Sequence, residues 1–198
     1  MRAMMTSICT LLVAGCVGTT NLPPVQHYVL EDLGQAPRAQ RTSHGGAVLL
    51  VQPTSVSAFY DTQRVAYSRA AGQRAYYQFA AWTERPGRAF SNLLSQRLGA
   101  PLTTAGVRGE LVLHTRLEEI YHDAAATPGS VKIAVSVELV DTAGRLVGER
   151  RRFTREAKTA AESAPAAVEA ANRAITEVLD EIAEWVDGVR PRQEAALS

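Results

Sequence analysis

Two segments near the middle of the chain alternate apolar and polar side chains, which predicts strands with one buried face. The first covers 110–121 and the second covers 131–139. The alternating positions are Leu111, Leu113, Thr115 and Leu117 in the first segment, and Val131, Ile133, Val135, Val137 and Leu139 in the second. Turn residues at 141–144 lead into a third, more charged strand over 145–158.

The first half of the chain predicts shorter strands. Residues 27–30 form a brief apolar segment, and 31–46 are rich in Gly, Pro, Gln and Arg, which indicates an exposed loop. The continuous apolar run 47–52 predicts a strand buried on both faces. Residues 64–69 and 73–79, separated by a turn, predict a tyrosine-rich hairpin.

Two helices complete the pattern. Pro86 begins the first, which has one apolar side and ends at Gly99. Ser163 is a suitable N-cap for a second helix over 164–186, which Pro191 closes. Hairpins combined with two helices predict an α+β domain, in which both helices pack on one face of a mainly antiparallel sheet.

The N-terminus has the layout of a secretory signal. Arg2 precedes an uncharged run that extends to Val13, which is shorter than the ~20 apolar residues a membrane-spanning helix needs. The segment ends in Val13-Ala14-Gly15-Cys16, which resembles a bacterial lipobox. We therefore expect cleavage between Gly15 and Cys16 and a covalent lipid on Cys16, with no other cofactor.

The residue after the cysteine is Val17 and not Asp, which favours the periplasmic face of the outer membrane of a Gram-negative bacterium. Four regions are expected. They are a signal peptide (1–15), a lipidated cysteine and flexible tether (16–26), a folded domain (27–190) and a disordered tail (191–198).

Charge and cysteine content narrow the function classes. The chain has 21 basic and 20 acidic residues, and loss of Arg2 with the signal leaves a neutral mature protein. Proteins that bind nucleic acid carry a basic excess, so nucleic acid is not an expected partner. Cys9 leaves with the signal, so an internal disulfide is not expected either.

Catalytic motifs are not recognisable in the sequence, and no enzyme is predicted. His114 and His122 fall on the same face of one predicted strand, roughly 26 Å apart at ~3.3 Å per residue, so we expect solvated histidines and no metal site. Glu118 and Glu119 should point to opposite faces. A periplasmic hydrolase using His114, His122 and Asp123 is kept as a minor alternative.

Two clusters have open interpretations. The charged run 149–156 is typical of an edge strand that resists aggregation; alternatively it lines a binding rim or contacts phosphate head groups. The aromatic group Tyr67, Tyr76, Tyr77 and Trp82 forms either a partner-contact surface or the ordinary aromatic content of a half-buried sheet.

A resemblance extends from Tyr28 to about Val186. It consists of the Tyr-x-Leu strand 28–30, the segments 48–56, 58–61 and 63–67, the aromatic stretch 76–82, and Pro86 ahead of 90–94 and Leu98. In this order the segments resemble the ABC-type transport auxiliary lipoproteins, the PqiC-like family. The basic hairpin 69–74 departs from the family pattern, which leaves the partner surface open.

The resemblance implies a non-catalytic outer-membrane lipoprotein that serves an MCE-type transporter. Its partner would be the MCE-domain protein that bridges the periplasm and moves phospholipid, and a homo-oligomeric ring around that partner is implied as well. An accessory role in lipopolysaccharide or secretin assembly is the alternative.

Overall fold

A computed structural model describes residues 22–34 and 48–197, with side chains as far as 189. The predictions for the signal peptide, Gly15, Cys16 and most of the tether lie outside the described residues. Within them, the fold is α+β, as the sequence predicts, with two helices and one mixed sheet that is antiparallel over most of its paired length.

The strands are β1 (Gln26–Tyr28), β2 (Leu49–Val51), β3 (Ser55–Val56), β4 (Arg64–Ser68), β5 (Ala75–Trp82), β6 (Leu111–Asp123), β7 (Ser130–Asp141) and β8 (Arg151–Lys158). The helices are α1 (Pro86–Leu98) and α2 (Ala164–Leu197), with short 3₁₀ turns at Ala58–Tyr60 and Thr103–Ala105. These elements confirm the predicted hairpin 64–79 and the three long strands of the second half.

The sheet is organised around β6. The main strand order is β1-β5-β4-β6-β7-β8. One edge of β6 pairs along its full length with β7, in antiparallel register. Its other edge pairs in parallel with β2, β3 and β4 in succession, so three separate segments share one long strand. β6 is therefore the longest strand of the sheet, and the outer strands are shorter.

Both helices lie on one face of the sheet. The alternating apolar residues of β7 are buried beneath α2, which contributes its own apolar stripe. The α2 residues with no exposed surface are Ala170, Ala174, Ile175, Val178, Leu179, Ile182 and Val186. The opposite face of β6, β7 and β8 has no helix over it among the described residues, so the molecule has one covered and one uncovered face.

The helix ends follow the sequence signals with one exception. Gly99 takes the left-handed conformation, with φ of 60°, that glycine tolerates at a helix C-terminus. The Ser163 hydroxyl accepts a bond from the Ala166 N–H at 3.4 Å, as an N-cap does. However, α2 continues to Leu197, well beyond the end near Val186 that Pro191 suggested. A proline removes only one backbone donor, and here the helical backbone continues past it.

The N-terminal segment is fastened to the helices. The Glu31 N–H donates to Asn172 Oδ1 at 3.1 Å, and the Leu33 N–H donates to Thr176 Oγ1 at 2.8 Å. Arg97 is 7% exposed and pairs with both Asp32 and Asp180. These contacts hold residues 29–34 against α1 and α2, so the segment is part of the folded body.

Candidate functional site

The uncovered face carries a groove of about 560 Å³ over the centre of β6 and β7. Its floor is built from two transverse rows of side chains, because residues in register on adjacent strands point the same way. Arg116 lies opposite Ser136, which lies opposite Arg152. His114 lies opposite Glu138 in the neighbouring row.

The groove has two walls. One is the segment joining β2 to β3, which contributes Gln52, Pro53 and Ser55. The other is the start of β8 and the residue before it, which contribute Arg150, Arg151 and Arg152. Arg116, Arg150 and Arg152 line the groove together with Glu138, and the Glu118 carboxylate bonds Ser136 and Arg152 within it. The Arg151 guanidinium lies over the Phe153 ring, 5.9 Å from its centroid, so its charge is directed away from the groove.

Carboxylates hold two of these arginines in place. Arg150 Nε donates to Glu138 Oε2, and Arg152 Nε donates to Glu118 Oε2, both at 2.6 Å. The Ser136 hydroxyl also donates to Glu118. Hydrogen bonds from Ser136 and Arg152 lower the pKa of Glu118, so this carboxylate stays ionised at neutral pH.

A second cluster lies on the uncovered side near the 3₁₀ turn at 58–60. The rings of Phe59 and Tyr76 stack with centroids 4.5 Å apart, and the Arg64 guanidinium lies 4.4 Å from the Tyr76 ring centroid. The Tyr76 hydroxyl donates to the Phe59 carbonyl at 2.6 Å. Phe59 is 36% exposed, so this cluster presents an aromatic surface bordered by positive charge.

The aromatic cluster continues inward toward β6. Arg74 lies 3.6 Å from the Tyr121 ring centroid, and its Nε donates to the Tyr60 hydroxyl at 3.1 Å. Burial raises the pKa of both tyrosine hydroxyls. These three side chains therefore fix the inner part of the cluster and leave Phe59 and Tyr76 at its accessible end.

The predicted contact group Tyr67, Tyr76, Tyr77 and Trp82 does not form a single surface. Trp82 is 3% exposed and packs in the core. Tyr67 and Tyr77 contact each other, with ring centroids 4.8 Å apart, whereas Tyr76 stacks on Phe59. Successive residues of a strand point to opposite faces, which separates Tyr76 from Tyr77. Only Tyr76 belongs to the exposed aromatic cluster.

His122 is not a solvated residue, contrary to the sequence prediction. It is 1% exposed, its Nδ1 lies 2.7 Å from the Tyr77 hydroxyl, and burial lowers its pKa. The reason is a bulge in β6: Leu117 pairs with Val135 but Glu119 pairs with Ala134, so Glu118 is an extra residue. A bulge exchanges the two faces of a strand beyond it, which turns His122 inward.

His114 stays on the uncovered face, where it lines the groove. The bulge therefore places the two histidines on opposite faces, and the structure does not bring them together. Within 22–34 and 48–197 no group of three His, Cys, Asp or Glu side chains is arranged to hold a metal ion. In the same residues, no helix has both the length and the apolarity to cross a membrane.

The charged run 149–156 does lie on an edge strand. β8 pairs only with β7 among the described strands, so its other edge is open. Its side chains divide between the two faces: Arg152 points toward the groove, and Arg155 pairs with Glu177 and Glu181 of α2. β8 is therefore an edge strand of the described sheet, its role in resisting aggregation stays a prediction, and the groove-lining residues leave the binding-rim interpretation open.

Known structures share this fold. A crystal structure of protein XCC0632 from Xanthomonas campestris matches with a TM-score of 0.72 and 17% identity, covering 86% of this chain and 99% of that one. The crystal structure of an uncharacterised protein matches with a TM-score of 0.65 and 16% identity, covering 83% and 99%. At such low identity the likeness shows the fold alone. No curated protein matches the chain.

The family comparison is more specific. The family described as the ABC-type transport auxiliary lipoprotein component matches residues 28–183, which is well over half of the chain. The matched region begins at the last residue of β1 and ends within α2, so it contains strands β2 to β8, both walls of the groove and the aromatic cluster. The chain belongs to the ABC-type transport auxiliary lipoprotein family.

Proposed function

We propose that the protein is a non-catalytic accessory subunit of an MCE-type ABC transport system, supporting phospholipid trafficking and envelope integrity. The observation that carries the proposal is the family match over residues 28–183. In this role the protein docks the periplasm-spanning MCE-domain component at the outer membrane. Its task is to hold the partner in position. This task requires a surface that recognises the partner and does not require a catalytic side chain.

The aromatic cluster around Phe59 and Tyr76 supports such a docking role. Aromatic and arginine side chains are enriched at protein interfaces and often carry most of the binding energy. Here Phe59 and Tyr76 are stacked and Arg64 lies over the Tyr76 ring, so these side chains are held in place before a partner binds. A preordered surface loses less entropy on association.

The predicted lipid anchor at Cys16 supports the same role. A lipid on Cys16 would be joined to the first described residue, Leu22, by only a few residues, each spanning at most ~3.6 Å. The segment from β1 to Gly34 is fastened to the body, so it adds no free length. The domain would therefore remain close to the membrane that holds its lipid.

Co-purification tests the docking. The full-length lipidated chain, extracted in a neutral detergent, should retain the MCE-domain protein expressed in the same cells. The double variant Phe59→Ala, Arg64→Ala should lose most of that retention. Leu146→Ala serves as the control, because Leu146 is also exposed, at 45%, but lies in the turn between β7 and β8.

Two results would count against this proposal. Retention of the MCE-domain protein by the double variant would exclude the aromatic cluster as the contact. Co-purification of the unaltered chain with an outer-membrane β-barrel or secretin, and not with an MCE-domain protein, would favour the assembly-factor alternative. A homo-oligomeric ring stays a prediction, which light scattering of the lipidated chain checks.

Replacement of the anchor tests the localisation. Cys16→Ser should leave the domain folded but abolish complementation of an envelope defect, because the body is no longer held at the membrane. Fractionation should then find the variant released from the outer membrane. Full complementation by this unlipidated form would contradict the docking role.

A further inference from the structure

We propose that a row of exposed apolar side chains at the start of the folded body lies on the surface of the membrane that holds the lipid anchor. The row, called the N-terminal row below, consists of Leu22, Val25, Val29 and Leu33. The inference rests on the anchor proposed at Cys16 and deepens it, because it names the surface of the protein that faces the lipid. The occupant is the interfacial region of a phospholipid bilayer.

Exposed large apolar side chains are concentrated in this segment. The part of the chain that the structure describes has seven of them, and four lie between residues 22 and 33. Their exposed fractions are 65% for Leu22, 47% for Val25, 50% for Val29 and 56% for Leu33. The other three lie in separate turns and loops, at positions 59, 107 and 146. Single exposed apolar residues are ordinary, whereas a group of them marks an interaction surface.

The backbone directs these side chains outward. From residue 25 to residue 33 every odd position is exposed, whereas Leu30 is buried and packs in the core. This alternation is that of an extended chain, in which successive side chains point to opposite sides. Val25, Val29 and Leu33 therefore project away from the core that Leu30 enters.

The N-terminal row is held in this position by the fold. β1 pairs in parallel with the end of β5, and the backbone N–H groups of Glu31 and Leu33 donate to α2 side chains at 3.1 and 2.8 Å. A fixed backbone prevents these apolar side chains from turning inward. Their apolar surface can be removed from water only by something outside the described body.

The length of chain from the anchor identifies that occupant. Leu22 follows Cys16 by six residues, which span at most ~22 Å at ~3.6 Å per residue. The N-terminal row therefore begins within reach of the bilayer into which the lipid on Cys16 is inserted. Apolar side chains at such a surface are stabilised when they enter the boundary between headgroups and acyl chains. A protein partner would have to enter the space beside the membrane, whereas lipid is already present there.

The charges of the segment indicate which lipids suffice. Residues 22–34 contain no lysine or arginine, and His27 and Glu31 are the polar side chains at the exposed odd positions. Attraction to anionic headgroups comes from basic residues. We therefore expect contact with zwitterionic lipid that added anionic lipid does not strengthen. The Glu31 carboxylate stays at the level of the headgroups, so the contact is shallow.

Fluorescence of a label on the N-terminal row tests the contact. The full-length lipidated chain with Leu33→Cys is labelled with an environment-sensitive fluorophore and inserted into phosphatidylcholine vesicles. The Cys16 thiol is blocked by the lipid, so Leu33→Cys provides the reactive thiol. We expect the emission to shift to shorter wavelength and to be quenched by lipids that carry a nitroxide on the headgroup. Added phosphatidylglycerol should not increase either effect.

A matched label provides the control. Leu146→Cys replaces an apolar residue that is 45% exposed, in the turn between β7 and β8. β8 lies five strands from β1 in the sheet, which is roughly 24 Å at ~4.8 Å per strand. A sheet that stands on its β1 edge keeps this turn away from the membrane, so the label at residue 146 should show neither a shift nor quenching.

A second variant separates contact from proximity, because a short tether alone would bring the segment near lipid. In the chain labelled at Leu33→Cys, the double change Val25→Asp, Val29→Asp removes apolar surface and adds charge at exposed positions. Most of the quenching at residue 33 should then be lost, although the anchor is unchanged. Leu146→Asp in the same labelled chain should retain the quenching.

Flotation of the vesicles distinguishes failure of this inference from failure of the anchor. If the labelled chain does not float with the vesicles, the anchor at Cys16 is wrong and this proposal falls with it. If the chain floats but the label at residue 33 is neither shifted nor quenched, the anchor stands and the proposal is overturned. A shift without quenching would mean that a partner protein or a second copy covers the N-terminal row. Equal quenching in the double Asp variant would reduce the contact to proximity, and both results would overturn the proposal.

Discussion

The two faces of the sheet differ in almost every physical property. On the covered face, β7 presents Val131, Ile133, Val135, Val137 and Leu139 to the apolar stripe of α2, and each is at most 2% exposed. On the uncovered face, the same strand presents Lys132, Ser136 and Glu138 to charged neighbours on β6 and β8. One strand thus contributes to the core and to the groove through alternate residues.

This contrast predicts that the covered face determines stability and that the uncovered face determines binding. Burial of apolar surface dominates folding free energy, whereas exposed ion pairs contribute little. Substitutions on the covered face should therefore change stability, and those on the uncovered face should change binding while leaving the fold intact. Measurements on residues of the same strand or the same helix make the comparison direct.

The largest effect is expected in the core. Ile133→Ala should lower the free energy of unfolding by about 2–5 kcal/mol, because it deletes apolar atoms from a site that is 1% exposed and leaves a cavity. Thr154→Ala on β8, an exposed position, is the control and should change it by about 0.5 kcal/mol or less. Urea unfolding measures both. Similar losses for the two variants would contradict the distinction between the faces.

Substitution of Arg97 tests how much a buried charged residue on the covered side contributes to stability. Arg97→Ala should cost about 1–3 kcal/mol, because it removes hydrogen bonds to Asp32 and Asp180 from a guanidinium that is 7% exposed. The effect is smaller than for a fully buried pair because Asp180 reaches solvent. Proteolysis should also begin to cleave near residues 29–34 as this segment loosens. Unchanged urea unfolding would show that the N-terminal segment adds nothing to stability.

The lowered pKa of His122 predicts how the free energy of unfolding depends on pH. Burial lowers its folded pKa below the ordinary value of 6.5, although the charges of Glu162 and Asp123 act in the opposite direction. The unfolded chain therefore binds a proton more readily than the folded one. The stability contribution is complete above about pH 6.5 and is lost as the pH falls toward the folded pKa, at no more than about 1.4 kcal/mol per pH unit.

Urea unfolding between pH 5 and pH 8 measures this slope. His122→Gln should flatten the slope in that window, although it will also lower stability at every pH because the contact with Tyr77 changes. If the slope is the same in the variant and in the unaltered protein, His122 does not titrate with folding.

The smallest effect is expected on the uncovered face. Arg150→Ala should change the free energy of unfolding by less than about 1 kcal/mol, because the Arg150 side chain is 76% exposed and its pair with Glu138 is screened by water. Thermal unfolding at low and high salt measures this. A loss of several kcal/mol would mean that the uncovered face also holds the fold together.

Particular residues explain which predictions held. The alternation along 131–139 correctly identified the buried face of β7, because one residue in two must face a core that lies on one side. His122 was placed on the wrong face because the same alternation was extended through 110–121. The sequence did carry a signal of the change: Ile120 is out of phase with Leu117, and an apolar residue on the even positions indicates that the strand has exchanged its faces.

The groove was harder to foresee. The charged run 149–156 was visible, but its partners on β6 lie far away along the chain. Only strand register places Arg116 and Arg152 on either side of Ser136. The aromatic group had the same limitation, since residue type alone cannot separate the buried Trp82 from the accessible Tyr76.

The sequence by itself determined the elements, the α+β class and the family resemblance, because each depends on periodicity, turn residues and order along the chain. It also predicts the lipid on Cys16, which lies outside the described residues. Tertiary structure decided which face of the sheet the helices cover, where β6 exchanges its faces, and which arginines and carboxylates pair across the strands. These features depend on pairing between distant segments, which local pattern does not specify.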